Sequence, residues 1–258
     1  MISSNIFKLF LASLLSLTFL AKMGVGAETK GPDAQNKLHI YLLIGQSNMA
    51  GRAPLTKDDT KPIQGAWLLN KDDVWEVATN PLNRYSTIRK GLGMQKLNPG
   101  YTFTKEMLQK NKEIEIGLVV NAKGGTKIEQ WAKGTKFYKE AIRRTKMAGR
   151  TGTLKGILWH QGESNQGNPE AYLKQLITLV EDLRKDLGMP ELPFIAGQVN
   201  DLPAINGEIT QLPKKLPHTG FVHSKGLKAM DRWHFDTKSM KLLGERYPEE
   251  MDKVQSDQ

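Results

Sequence analysis

The 258-residue chain contains no cysteine, which excludes disulfide staples, thiolate metal sites and cysteine nucleophiles outright. Long apolar runs are equally scarce. The main one, Leu9 to Ala21 (LFLASLLSLTFLA), covers about 13 residues and falls short of the roughly 20 that a membrane-spanning helix needs. No zinc-finger spacing, aromatic RNA-binding pattern or long Lys/Arg arm accompanies the formal charge of +10, so nucleic acid is not an expected partner. Internal repeats, low-complexity tracts and domain-splitting linkers are missing too. What remains, 39% hydrophobic and 25% charged, is the balance of a globular domain large enough to bury a core without staples.

The N-terminus reads as an address. Lys8 precedes the apolar run and Val25-Gly26-Ala27 follows it, the order of an export leader with a small-residue cleavage point. The expectation is a signal peptide over residues 1–27, one domain over 28–258, and a secreted or periplasmic protein without stable membrane association. Removing the leader takes away Lys8 and Lys22 and no acid, so the remainder stays basic. Most of its cations are interleaved with acids, as in Lys71-Asp72-Asp73, and only Arg143-Arg144-Thr145-Lys146 stands out as a cluster. That pattern reads as a solvated basic face, with attraction to acidic polysaccharide as the lesser reading.

Two hydrophobic periods alternate along the chain. Leu38–Ile44, Ile114–Asn121, Leu154–His160 and Pro193–Asn200 are short apolar runs ending in Gly, Asn or His, as expected of strands covered on both faces. Between them lie helical stretches, the clearest being Glu170–Leu187, capped by Asn168, opened by Pro169 and stopped by Gly188. Tyr101–Lys110, Phe137–Met147 and Thr237–Tyr247 are further helices, and His218 and His223 flank a late strand. The alternation predicts a flavodoxin-like three-layer α/β/α sandwich around a mostly parallel sheet of about five strands. Residues 52–100, rich in Pro, Gly and Asn, read as a decorated connection over one sheet edge, with Trp67 and Trp75 as isolated anchors.

Ligands of open parallel sheets bind beyond the carboxyl ends of the strands. Three glycine-bearing segments fall there: Gly45-Gln46-Ser47-Asn48-Met49, Gly124-Gly125-Thr126 and His160-Gln161-Gly162-Glu163. Ser47 is the candidate nucleophile, although its surroundings are not the G-x-S-x-G elbow of α/β-hydrolases. A serine needs a base and an orienting group, and Asp231-Arg232-Trp233-His234 supplies both at one turn's spacing. The backbone N–H groups of Ser47 and Gly124 and the side-chain amide of Gln161 are candidate oxyanion donors. Glu163 stays open between a second carboxylate for His234 and an orienting role, and His160 is expected to pack between loops. Asn48 and Trp131 are candidate substrate contacts. Asp231, His234 and Asp236 are also a conceivable metal set, but that reading leaves Ser47 without a task, and no metal or other cofactor is expected.

In this order, GQSNMAG, NAKGGT, WHQGESN and DRWH resemble the SGNH/GDSL hydrolases, specifically the branch holding sialate O-acetylesterase-like domains and acetylxylan esterases of carbohydrate esterase family six. The likeness runs from about Leu38 to Tyr247. It implies Ser47 as nucleophile, Gly124 as oxyanion donor, and Asp231 with His234 as orienting acid and base. Where most SGNH hydrolases carry an Asn donor, this chain has Gln161, and some relatives use the glutamate at Glu163 as triad acid. The implied activity is hydrolysis of O-acetyl esters on carbohydrates. A general short-chain esterase and a non-catalytic carbohydrate-binding protein are the rival readings.

Overall fold

The computed structural model describes residues 31–32, 37–89, 91 and 93–256. Residues 1–27, read as an export leader, lie outside them. Among the described residues seven strands form one sheet: β1 (Leu38–Gly45), β2 (Ala66–Leu69), β3 (Trp75–Val77), β4 (Glu115–Val120), β5 (Thr153–His160), β6 (Phe194–Gly197) and β7 (Thr219–Val222). Their order is β3-β2-β4-β1-β5-β6-β7, parallel throughout except for the antiparallel β2–β3 pair. Six α-helices accompany them among the described residues: α1 (Ser47–Ala50), α2 (Gly100–Lys110), α3 (Lys136–Ala148), α4 (Pro169–Leu187), α5 (Pro203–Lys215) and α6 (Thr237–Ser256).

The period-2 logic of a doubly covered strand is visible in β1. Leu38, Ile40, Leu42 and Ile44 enter one core with α3, α4 and α5. Tyr41 and Leu43 enter the other with α2 and α6. Helix α4 follows its sequence signals closely: the Asn168 side chain accepts from Ala171 N–H, Pro169 opens the helix, and Gly188 closes it at φ 71°. Among the described residues, no helix is long and apolar enough to cross a membrane.

Several expectations need correction. The connection over residues 52–100 is not only decoration, since it contributes β2 and β3 and lengthens the sheet beyond the expected five strands. Trp67 and Trp75 belong to those strands, donating from their indole N–H groups to Glu115 Oε2 at 3.0 Å and Thr151 Oγ1 at 2.7 Å. Helix α6 runs on through Pro248 to Ser256, because Tyr247, Met251 and Val254 bury against the sheet and offset the hydrogen bond that proline removes. The Arg143–Lys146 cluster is partly structural. Arg143 pairs with Asp73 and Glu140, while Arg144 is fully buried and donates to the carbonyls of Leu69, Asn70 and Tyr85.

Candidate active site

Strands β4, β1 and β5 are neighbours, so the loops leaving their carboxyl ends converge. At Gly45 the backbone takes φ 139°, and a Cβ there would lie 2.2 Å from the carbonyl oxygen of His160. Only glycine lets the chain turn out of β1 this close to β5. Gln46 N–H then donates to that carbonyl at 2.9 Å, and Ser47 opens α1, 4% exposed. The β4 loop reaches the same place. Lys123 N–H donates to Gly45 O at 3.1 Å, and a Cβ built on Gly124 would meet Ser47 Cβ at 3.5 Å. Among the described residues, the Ser47 and Gly124 N–H groups have no backbone acceptor, which leaves two donors beside one hydroxyl.

The histidine arrives on a tight turn between β7 and α6. An antiparallel bridge pairs Ala229 with Phe235, and Met230 N–H donates to His234 O at 2.9 Å. Asp231 organises the turn. Its Oδ1 accepts from the N–H groups of Trp233 and His234, both at 2.8 Å, and its Oδ2 lies 2.7 Å from His234 Nδ1. Burial alone raises the Asp231 carboxyl, but the His234 ring and those two N–H groups outweigh it and hold the group below the usual carboxylate range. An ionised Asp231 accepts a hydrogen bond from the Nδ1–H of His234 and so leaves Nε2 as the basic nitrogen.

Asn48 joins the two halves. Its Nδ2 donates to Trp233 O at 3.0 Å and to Glu163 Oε1 at 2.9 Å, and its Oδ1 accepts from Phe235 N–H at 3.3 Å. The residue after Ser47 therefore grips the chain on both sides of His234. With its side chain fully buried and spent on these bonds, Asn48 is a brace and not the substrate contact expected of it.

Glu163 is 4% exposed and bonded to Asn48, whereas the His234 Nδ1 faces Asp231. The two carboxylates thus have separate neighbours. Burial pushes Glu163 up to about 7, against the pull of backbone N–H groups and the Asn48 amide, and among the described residues no donor reaches its Oε2. His160 is packed as expected: burial lowers it to about 3, and since Tyr247 gives its hydroxyl proton to Trp159 O, the His160 Nδ1–H faces the Tyr247 oxygen at 3.3 Å.

Gln161 and Trp131 are corrected as well. Gln161 Nε2 lies 3.0 Å from Gln46 Oε1, 3.0 Å from Thr126 O and 2.8 Å from Asn165 Oδ1, so both of its N–H groups are committed and neither is left for an oxyanion. Trp131 is fully buried, packed on Phe137 and Trp159 with its indole N–H on Thr126 Oγ1 at 3.1 Å, and belongs to the core. The aromatic that does flank the site is the half-buried Trp233, under a guanidinium from Arg232 at 4.4 Å. Its adjacency to His234 was the available signal. Asn165 was also missed, four residues after Gln161 and bonded to it, to Ile128 N–H and to Glu129.

The family model for carbohydrate esterases of the sialic acid-specific acetylesterase type matches residues 37–253. The chain belongs to this carbohydrate esterase family. A probable carbohydrate esterase from Arabidopsis thaliana is 32% identical over 241 residues, covering 84% of this chain and 90% of the relative. The solved structure of the Arabidopsis protein superposes with a TM-score of 0.75 at 27% identity, over 84% of this chain and 98% of that one. A carbohydrate acetylesterase from Xanthomonas citri shares the fold, with a TM-score of 0.64 at 18% identity over 85% of this chain and 57% of its own. This esterase is accordingly a carboxylic ester hydrolase of the carbohydrate acetylesterase kind, on an SGNH-type sandwich.

Proposed function

We propose that the chain is an exported serine esterase that removes O-acetyl groups from carbohydrates, with Ser47 as nucleophile, His234 as base and Asp231 as the acid that orients it. The observation that carries this reading is the Asn48 grip: the side chain next to Ser47 holds Trp233 O and Phe235 N–H, the two neighbours of a histidine already bonded to Asp231. Membership of a carbohydrate esterase family supports the substrate class.

In the first half-reaction Ser47 Oγ attacks the acetyl carbon and passes its proton to His234 Nε2. The N–H groups of Ser47 and Gly124 receive the oxyanion, in the place of three donors. Collapse of the tetrahedral intermediate breaks the ester bond, and His234 returns the proton to the departing sugar hydroxyl. Water then attacks the acetyl-Ser47 ester with His234 again as base, releasing acetate. No cofactor enters this sequence. Trp233 takes the sugar-facing role first given to Trp131. Export rests on Lys8, the Leu9–Ala21 run and the Val25-Gly26-Ala27 segment.

The test is acetate release from a panel of acetylated polysaccharides beside an acetyl aryl ester and a long-chain acyl ester. Acetylated carbohydrate is expected to be the preferred substrate, and a preference for long acyl chains sinks the reading. N-terminal sequencing of the exported protein is expected to begin at Glu28.

A further inference from the structure

A cavity of about 510 Å³ opens beside Gly124, within the range of small-ligand sites (about 300–1,000 Å³). The Ser47 helix contributes Ala50 to its wall, so the cavity adjoins the ester site directly. Its charged lining consists of Arg52, Arg89, Lys123 and Lys136, and no carboxylate is among the lining residues. Several cations elsewhere in this esterase are paired: Arg84 with Glu76, Arg143 with Asp73, Lys133 with Asp186, Lys241 with Asp59. Among the described residues, none of the four cavity cations has such a partner.

Two of the cavity cations are also held in place. Lys123 follows β4 immediately upstream of Gly124 and lies with its ammonium 5.1 Å from the Phe137 ring, and Arg89 commits Nε to Gly91 O at 2.9 Å. Arg52 and Arg89 are close enough to feel each other: burial first, and then the charge of Arg52, lower the Arg89 guanidinium. Four like charges converging on a concave wall repel one another, and a cleft focuses their field into its opening. An oxyanion relieves that repulsion, and guanidinium forks match carboxylate and sulfate oxygens with paired N–H groups.

We propose that this cavity is a subsite for an oxyanion, carboxylate or sulfate, carried by the acetylated carbohydrate chain. The esterase therefore acts on acidic glycans, with the anion bound by Arg52 and Arg89 while the neighbouring acetyl group reaches Ser47. This rests on the acetylesterase reading given above.

The experiment compares kcat/KM of the full chain for an acetyl aryl ester, a neutral acetylated xylo-oligosaccharide, an acetylated oligogalacturonide and an acetylated sulfated oligosaccharide, at low and high salt. An acidic glycan is expected to exceed the neutral one by about 10- to 100-fold at low salt, the range of one or two charge-assisted bonds, with the advantage shrinking at high salt. In Arg52→Gln and Arg89→Gln the acidic-to-neutral ratio is expected to fall toward unity through KM with little change in kcat. Preference for the uronate identifies a carboxylate as the ligand, and preference for the sulfated chain a sulfate. Equal kcat/KM for neutral and acidic glycans in the unmodified protein, insensitive to salt, overturns the subsite even if both variants fail to fold, and leaves the acetylesterase reading standing. Failure to hydrolyse any acetyl ester overturns that reading itself, and the subsite with it.

Discussion

Replacing Ser47 by alanine is expected to lower kcat for acetate release by about 10⁵- to 10⁶-fold, since loss of a nucleophile that acts as one unit with its base removes nearly all covalent catalysis. The size follows from the division of labour. Without the hydroxyl, the N–H groups of Ser47 and Gly124 still face a carbonyl, and such donors sustain about 10³- to 10⁴-fold catalysis over water in comparable sites. The fold is not expected to suffer, because Ser47 supplies no side-chain cap to α1. The decisive comparison is therefore kcat against thermal melting on the same preparation. A Ser47→Ala protein that melts like the parent and still releases acetate at the parent rate removes Ser47 from the mechanism. A variant that binds acetylated oligosaccharide with unchanged affinity while turning over almost none of it places the loss in the chemical step.

How much of this was legible beforehand depends on whether a residue's partners are near in sequence. Helix α4 was readable almost to the residue because Asn168, Pro169 and Gly188 act on their own neighbours. The Asp231–His234 pair was readable for the same reason: the carboxylate accepts from backbone and ring within one turn. Asn48 was not, since its bonds run 115 residues forward to Glu163 and 185 to Trp233. The amide of Gln161 is consumed by Asn165 in its own loop and by two loops that reach it only after folding. Trp131 followed a glycine loop and read equally as a substrate contact or as core, and its packing on Phe137 and Trp159, with the indole N–H on Thr126, places it in the core. The charge pattern misled in both directions. Consecutive Arg143 and Arg144 proved to be paired or buried, while the unpaired cations at 52, 89, 123 and 136 are brought together only by the sheet order.

Asp231→Asn and Glu163→Gln are expected to differ by about three orders of magnitude in kcat, and their comparison decides which carboxylate serves His234. Asparagine at 231 keeps an acceptor for the N–H groups of Trp233 and His234 but turns an NH2 donor toward His234 Nδ1 in place of the charge, so the ring is held in the wrong tautomer and no longer has its imidazolium stabilised. In serine triads that loss is worth about 10⁴-fold. Glutamine at 163 still accepts from Asn48 Nδ2 through its carbonyl oxygen, so the Asn48 grip on the histidine loop survives and kcat is expected to stay within about tenfold of the parent. Stability supplies a second readout that catalysis does not move. With its folded value at about 7 against roughly 4.3 unfolded, Glu163 holds a proton in the native state that the unfolded chain has lost between those two values. Stability from this group is thus full below about pH 4.3, falls as pH rises toward 7, and levels off above, a total of at most about 4 kcal/mol. Glu163→Gln removes that decline, so its melting temperature is expected to gain on the parent between pH 5 and pH 8 and not below. A Glu163→Gln protein that melts in this way yet loses about 10⁴-fold in kcat, beside an Asp231→Asn protein that stays active, transfers the acid role from Asp231 to Glu163 and makes Asn48 a spacer within the catalytic relay.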